Sequence, residues 1–203
     1  MARHIGPKIK PSRRFGEALT AKAEKYLAKR NYRPGQHGQN PQRVSEYGTQ
    51  LREKQKAKQI YGIMEKQFRR YYEKASKKVG VTGDALLAML ETRLDNIIYR
   101  LGLAQTRAQA RQLVSHGFFD VNGKKVNIPS YEVKVGDEIK VRETKKNSTF
   151  IKNLGPVLAK SVKTAEWLSL DSAKLTGKVL SIPSREQIGT TLNTQLIVEH
   201  YSR

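Results

Sequence analysis

The chain has 203 residues, with 39 Lys and Arg against 18 Asp and Glu, a formal net charge of +21 and no cysteine. The absence of cysteine excludes disulfide bonds and thiolate metal sites. Residues 1–80 hold 21 basic and 6 acidic side chains, so most of the excess charge lies in the first part of the chain. Such a segment repels itself unless a polyanion neutralises it, and nucleic acid is the usual polyanion.

An anionic membrane is the alternative partner for this much positive charge. The first residues, MARHIGPKIK, carry charge without a hydrophobic stretch, which argues against a signal peptide. No apolar run reaches transmembrane length, and no amphipathic face rich in Trp or Phe is present to insert into lipid. We therefore expect a cytoplasmic protein whose partner is nucleic acid and not a membrane.

Residues 1–44 predict a basic, irregular N-terminal extension, because Gly and Pro recur along it and few apolar side chains are available for a core. Only Glu17–Arg30 has a helical composition. His4 and His37 lie in this region, but two lone histidines make no metal site without further donors. We predict no metal and no cofactor.

Residues 45–92 predict a small helical domain. Ser45 is a suitable N-cap, and Gly62 divides the region into helices over Glu46–Gln59 and Met64–Ala75. The aromatic residues Phe68, Tyr71 and Tyr72 of the second helix could stack on bases, but their spacing also fits a small core, which is the role we expect for Phe68.

A further helix is predicted over Ala85–Tyr99. Apolar residues near its end recur at the spacing of a buried helical face, namely Leu94, Ile97, Ile98 and Leu101. Asp95 lies on this helix, where a carboxylate commonly pairs with a nearby arginine. We expect this structural role for Asp95 and no catalytic one.

The next helix begins after Thr106 as N-cap, with Gln109 completing a capping box and Gly117 ending the helix. The segment Phe119–Ile128 then predicts a hairpin around Asn122-Gly123, because this dipeptide adopts the positive φ angles of a tight turn. A strand over Ile139–Val141 follows. Four cations of this compact unit are expected to project outward and grip phosphate: Arg107, Arg111, Lys124 and Lys125.

The last part of the chain is predicted to hold a loop over Lys145–Ser148 and a short helix over Phe150–Val162 that is interrupted near Gly155-Pro156. Strands are predicted over Trp167–Leu170 and Gly177–Ile182. Trp167 is assigned to the core. The terminal segment Leu192–Tyr201 is apolar enough to pack, but its pattern fits either a helix or a strand.

Several stretches are long and particular enough to carry a resemblance. The two helices and the hairpin between Arg93 and Arg142 resemble the small α-L RNA-binding fold. The opening MARHIGPKIKPSRRFG, the segments EKQKAKQIYGIMEKQF and RQLVSH, and the ending LIVEHYSR resemble the bacterial-type uS4 family of small ribosomal subunit proteins. The resemblance covers nearly the whole chain in order.

This resemblance implies a primary rRNA-binding protein that binds the 5′ domain of 16S rRNA and nucleates assembly of the small subunit. It also implies a place beside proteins uS5 and uS3, near the channel by which mRNA enters, with contact to mRNA and a contribution to translational accuracy. Many members of the family carry a four-cysteine zinc site near the N-terminus. Because this chain has no cysteine, we expect it to be a zinc-free form.

Two rival classes remain to be weighed. Enzymes such as pseudouridine synthases and aminoacyl-tRNA synthetases carry the same module beside a large catalytic domain, but the flanks here hold no catalytic Asp motif or nucleotide-binding signature. A transcription regulator with a helix-turn-helix is the second rival, but the hairpin directly after the second helix fits the α-L unit better. We expect a structural, non-enzymatic RNA-binding protein.

The prediction is an α+β fold in three parts: a basic extension over 1–44, a helical domain over 45–92 joined by the C-terminal segment 189–203, and an α+β domain over 93–188. This last domain contains the α-L RNA-binding module over 93–156, with an antiparallel sheet. The candidate RNA-binding residues are cations of the basic lobe and of the module: Arg13, Arg14, Arg43, Arg52, Lys54, Lys58, Arg69, Arg70, Arg107, Arg111, His116, Lys124 and Lys125. His116 is included because it lies in the turn after the second helix of the module, where it could contact the RNA backbone or cap the carbonyls at the helix end.

Overall fold

The computed structural model describes residues 6–40, 43–151, 165–172 and 174–203. They form two compact units. The first combines the chain up to Ala85 with the C-terminal segment Thr191–Arg203, and the second comprises Leu86–Thr190. The first unit is helical and the second contains a sheet, so the predicted α+β class is confirmed. The boundaries at residues 44, 92 and 188 stay predictions, since compactness alone does not establish independently folding domains.

Helix α1 (Ile9–Phe15) lies where the sequence predicts irregular chain, so that part of the prediction is wrong. Its Pro11 lies in the first turn, where a backbone N–H has no intrahelical partner, and the proline therefore does not interrupt the helix. Gly16, with φ 75°, ends the helix in the left-handed conformation. Helix α2 (Ala21–Lys29) follows inside the predicted helical segment.

The predicted division at Gly62 is confirmed. Ser45 caps helix α3 (Glu46–Tyr61), and its hydroxyl accepts a hydrogen bond from the Gly48 N–H at 3.2 Å. Gly62 has φ 63° and ends α3, after which helix α4 (Glu65–Ser76) begins. Both helices are those that the apolar spacing and the glycine indicate.

The single helix predicted over Ala85–Tyr99 is wrong. The chain instead forms α5 (Thr82–Glu91) and α6 (Leu94–Arg100). Arg93 between them is extended, with φ −68° and ψ 139°, and it pairs with Glu132 in an isolated antiparallel bridge. The helix is interrupted because Arg93 pairs with a residue almost forty positions later in the sequence. No residue near Arg93 in the sequence indicates this interruption.

Helix α7 (Arg107–Ser115) has the predicted cap. The Thr106 hydroxyl accepts a hydrogen bond from the Gln109 N–H at 3.2 Å, and Gly117 follows the helix with φ 66°. The predicted capping box is altered, however, because the Gln109 side chain accepts from the Gln105 N–H at 2.8 Å and not from Thr106. The helix begins and ends where the sequence indicates.

The sheet is antiparallel, with strand order β2-β1-β3-β5-β4. Its strands are β1 (Phe119–Val121), β2 (Lys124–Lys125), β3 (Glu138–Val141), β4 (Leu168–Asp171) and β5 (Thr176–Val179). Asn122 and Gly123 have φ 50° and 76°, as both central residues of a type I′ hairpin turn require. The hairpin prediction is confirmed, except that β2 ends at Lys125 and does not continue to Ile128.

In the described residues of the rest of the second unit, two further short helices have both ends defined. Helix α8 (Glu143–Lys146) overlaps the loop predicted over Lys145–Ser148, which is therefore partly wrong. Helix α9 (Arg185–Ile188) begins after a capping box made by Ser184. Most of the helix predicted over 150–162 lies outside the described residues.

The core of the second unit is formed by apolar residues of α6 and α7 together with inward-facing residues of the sheet. Trp167 belongs to it and is only 1% exposed, so its predicted core position is confirmed. Gly177 in β5 leaves the space that the Leu101 side chain occupies: a Cβ at position 177 would lie 2.4 Å from Leu101 Cδ1.

The segment Leu192–Tyr201, which the sequence leaves open between helix and strand, forms most of α10 (Thr194–Ser202), and this helix packs against α3. The Tyr201 ring stacks on that of Tyr72 with centroids 4.7 Å apart. Helix α10 therefore belongs to the same helical unit as α3 and α4.

Glu65, the first residue of α4, ties α3, α4 and α10 together. Its Oε1 accepts hydrogen bonds from Lys54 Nζ at 3.1 Å and from Tyr201 Oη at 2.7 Å, and its Oε2 accepts from Lys58 Nζ at 2.6 Å. Burial alone would raise the pKa of Glu65, but the hydrogen bonds from Lys58, Tyr201 and Lys54 outweigh it and lower the pKa from 4.5 to about 2. The folded protein therefore favours the ionised carboxylate.

We expect Gly177→Ala to lower the free energy of unfolding by about 1–3 kcal/mol, the usual cost of overpacking a core. The new methyl group would press on Leu101, which is fully buried and has little room to move. Urea unfolding followed by circular dichroism measures the change. Ser169→Ala in the neighbouring strand β4 is the control and should change stability by less than about 0.5 kcal/mol. Equal stability of both variants with the parent would contradict the packing argument.

Because the pKa of Glu65 is lowered in the folded state, its contribution to stability is present above pH 4.5 and is lost as the pH falls from 4.5 towards 2. We expect Glu65→Gln to be less stable than the parent at neutral pH, with the difference shrinking over that range. Thermal unfolding at several pH values measures it. A difference independent of pH would mean that the glutamine is disfavoured for its shape and not for its missing charge.

Candidate nucleic-acid interface

The predicted RNA-binding residues divide by exposure into three groups. One is buried, namely Lys54. Five are partly exposed: Arg13, Arg52, Lys58, Arg107 and Arg111. Seven are exposed: Arg14, Arg43, Arg69, Arg70, His116, Lys124 and Lys125. The structure therefore separates cations that are engaged within the fold from cations that face solvent.

On α4, exposed cations form a line along one face. Arg69 pairs with Glu73 at 3.1 Å within the helix, whereas Arg70 lies on a face that also carries Lys66 and Lys74. Residues four apart are neighbours on a helix surface, so these three side chains follow one another along the axis. Arg70 was among the predicted residues, whereas Lys66 and Lys74 were not, although their spacing of four residues from Arg70 is visible in the sequence.

The lysines of α3 are largely used inside the helical unit. Lys54 and Lys58 both donate to Glu65. Lys56, with a 3% exposed side chain, donates to Glu17 at 2.6 Å and to the Thr191 carbonyl at 3.2 Å. The predicted RNA-binding role of Lys54 and Lys58 stays a prediction, but the structure gives both a stabilising role that the sequence analysis did not foresee.

Arg13 also has an internal role. Its Nε donates to the Tyr32 carbonyl at 3.1 Å and its Nη2 to the Arg33 carbonyl at 3.3 Å, and its guanidinium lies 4.8 Å from the centre of the Tyr32 ring. The chain following these carbonyls is so tight that a Cβ on Gly38 would lie 1.9 Å from the Arg33 oxygen. Arg13 thus holds the chain that carries the exposed His37.

The sequence predicts that Arg107 and Arg111 project outward, but in the structure both contact residues of helix α6. Arg107 Nε donates to Asn96 Oδ1 at 2.7 Å, and its guanidinium lies 4.4 Å from the centre of the Tyr99 ring. Arg111 Nη1 lies 3.7 Å from Asp95 Oδ2, and its side chain is 19% exposed. Side-chain partners on the facing helix α6 hold both arginines, which a pattern along α7 alone cannot reveal.

Asp95 has the structural role that the sequence predicts. Arg93 donates to it through Nε at 3.0 Å and through Nη2 at 2.7 Å, a bidentate pair in which both side chains are almost fully buried. Such a pair fixes both groups in one plane. Asp95 therefore stabilises the start of α6 through this ion pair, and it is too buried to form part of an exposed site.

Lys124 and Lys125 are exposed on the hairpin strand β2. The stem of Lys125 runs past Gly117, where a Cβ would lie 2.8 Å from Lys125 Cε. This places the lysine beside the end of α7, next to the exposed His116. The hairpin and the end of α7 together bring the exposed Lys124, Lys125 and His116 to one corner of the second unit.

The described residues contain no cluster of three or more His, Cys, Asp or Glu that could hold a metal ion. None of the described helices is long and apolar enough to cross a membrane. What the two units offer is exposed Lys and Arg side chains on regular elements, which suits the sequence-independent contact of a phosphate backbone.

The comparison with known proteins agrees with this geometry. The family profile described as "Ribosomal protein S4/S9 N-terminal domain" matches residues 3–91, and the profile described as "S4 domain" matches residues 92–139. Small ribosomal subunit protein uS4 of Chloroflexus aurantiacus is 55% identical over 207 residues, covering 100% of both chains. Proteins of the same name from Roseiflexus castenholzii and Desulforamulus reducens are 55% and 53% identical, again over 100% of both chains.

The relatives that match over the whole of both chains are named as small ribosomal subunit proteins and not as synthases or synthetases. The S4 domain profile covers α6, α7 and the hairpin, the region that the sequence analysis weighed against a helix-turn-helix. The chain therefore belongs to the uS4 family of small ribosomal subunit proteins, as a structural and non-enzymatic component of that subunit.

Proposed function

We propose that this chain is a primary rRNA-binding protein that binds the 5′ domain of 16S rRNA and nucleates assembly of the small subunit. One observation carries the proposal: both units expose Lys and Arg side chains, while carboxylates such as Glu65, Asp95 and Glu17 are engaged with cations of their own unit. The cations that hold these carboxylates are other than Lys66, Arg70 and Lys74 on α4 and Lys124 and Lys125 on the hairpin, which are exposed and face solvent.

The binding mechanism follows from this arrangement. Each exposed Lys or Arg that neutralises a phosphate releases condensed counterions, so affinity falls as salt rises. The line formed by Lys66, Arg70 and Lys74 suits an RNA backbone running along α4, and the corner at Lys124 and Lys125 suits a second strand. A protein with cations on two units neutralises RNA segments that would otherwise repel each other, which is what nucleating a folded RNA junction requires. Selectivity would come from RNA shape and 2′-hydroxyl contacts.

We further propose that the chain lies beside uS5 and uS3, contacts mRNA near the channel by which it enters, and contributes to translational accuracy. Membership of the uS4 family supports this placement. A strongly basic helical unit is compatible with lining a channel for RNA, because such a channel needs fixed positive charge along its wall.

The proposal predicts preferential binding of a transcript of the 16S rRNA 5′ domain over an unrelated structured RNA of equal length and over duplex DNA. Affinity for all three should fall with salt, but binding to the 5′-domain transcript should persist at salt concentrations that abolish the other two. Fluorescence anisotropy over a salt series measures this. Equal loss of all three complexes would reduce the activity to a generic attraction for polyanions.

We expect Lys124→Gln with Lys125→Gln to reduce the slope of log affinity against log salt by about 1.5, because each phosphate contact contributes about 0.7–0.9. The matched control is Lys140→Gln with Lys146→Gln, which removes the same charge from the same unit. Lys140 and Lys146 lie 3.0 Å and 2.8 Å from Glu143, so they are already paired and should contribute little. Equal effects of the two double variants would mean that only net charge matters and that the hairpin is no contact site.

A further inference from the structure

A chain of polar contacts links the buried end of α5 to Arg107 through Asn96. The Glu91 carboxylate is fully buried and accepts from Arg100 through Nε at 2.9 Å and Nη2 at 2.8 Å. Asn96 Nδ2 donates to the same carboxylate at 2.6 Å and to the Glu91 carbonyl at 3.1 Å. The amide of Asn96 is therefore held at its nitrogen end by one residue.

This arrangement determines which atom faces Arg107. Both hydrogens of the Asn96 amide nitrogen have acceptors on Glu91, so the oxygen is the atom left to meet the arginine, and Arg107 Nε donates to it at 2.7 Å. A carboxylate at position 96 would face the Glu91 carboxylate and repel it. Asparagine is the neutral side chain that can donate to Glu91 and accept from Arg107 at once.

Tyr99 supplies a second constraint. Its ring packs against the core of the second unit, and the Arg107 guanidinium lies 4.4 Å from its centre. Stacking on an aromatic face restrains the plane of a guanidinium, while the bond at Nε restrains its rotation. An arginine carries five N–H donors, so the hydrogen bond from Nε to Asn96 engages one of those of Arg107.

We propose that Asn96 and Tyr99 are positioning residues that hold Arg107 in the orientation in which it meets an RNA phosphate. This inference rests on the proposed function, since it assigns Arg107 to the RNA interface. An unrestrained arginine loses rotamer freedom when it binds, whereas one that is held beforehand has already lost it, so the restraint raises affinity without adding a contact. Asn96 is only 2% exposed, so it acts on RNA through Arg107 and not by direct contact.

The test is a double-mutant cycle read by binding to the 5′-domain transcript over a salt series. Arg107→Ala should weaken binding by about tenfold or more and reduce the salt slope by about 0.7–0.9, because one charge is lost. Asn96→Ala should weaken binding about three- to tenfold, the cost of ordering one arginine, with the slope unchanged because the charge remains. In the Arg107→Ala background, Asn96→Ala should have no further effect.

A second pair of variants leaves the buried contacts of Glu91 untouched. Tyr99→Phe keeps the ring and should bind as the parent does, whereas Tyr99→Leu removes the stacking partner and should weaken binding with an unchanged slope. Thermal unfolding of every variant, with binding measured well below the lowest midpoint, separates loss of fold from loss of orientation.

The outcomes distinguish the two levels of the argument. If the parent protein does not prefer the 5′-domain transcript, the proposed function fails. If it does but Arg107→Ala binds normally, or if Asn96→Ala weakens binding equally with and without Arg107, the positioning role is overturned while the proposed function stands. Equal binding by Tyr99→Leu and Tyr99→Phe would remove Tyr99 from the mechanism.

Discussion

The structure depends on one constraint: a chain with a net charge of +21 must neutralise every cation that its fold buries. The few carboxylates are placed where they do so. Glu65 forms ion pairs with Lys54 and Lys58. Asp95 pairs with Arg93, and Glu17 pairs with Lys56. A buried charge without a partner would be strongly destabilising, because desolvation of an unpaired ion costs several kcal/mol. These pairs make the two units possible in so basic a chain.

The same constraint separates structural cations from those that face solvent. The carboxylates that pair with cations inside each unit leave Lys66, Arg70 and Lys74 on α4 and Lys124 and Lys125 on the hairpin facing solvent. Acidic residues therefore have an indirect part in RNA binding. They stabilise the scaffold, and through the neutral amide of Asn96 one of them also orients an arginine near the surface.

Patterns of local origin were sufficient for much of the fold. The caps at Ser45 and Thr106, the break at Gly62 and the Asn-Gly turn depend on hydrogen bonds and φ angles within a few residues, so they could be predicted from neighbouring residues. The break at Arg93 could not, because its cause is a pairing with Glu132. Helix α1 was missed since its few apolar residues carry no periodic signal, and its stability comes from contacts with α2 and α3.

The candidate site shows the same division. Composition and charge along the chain determined that the protein binds a polyanion, and its motifs determined the family, because both are properties of the residues themselves. Which cations face solvent was decided only by the tertiary structure. Lys54 and Arg70 are equivalent in the sequence, yet one is buried beside a carboxylate from another helix and the other is exposed. The reason is physical: the state of a charged side chain depends on partners that folding brings from distant parts of the chain.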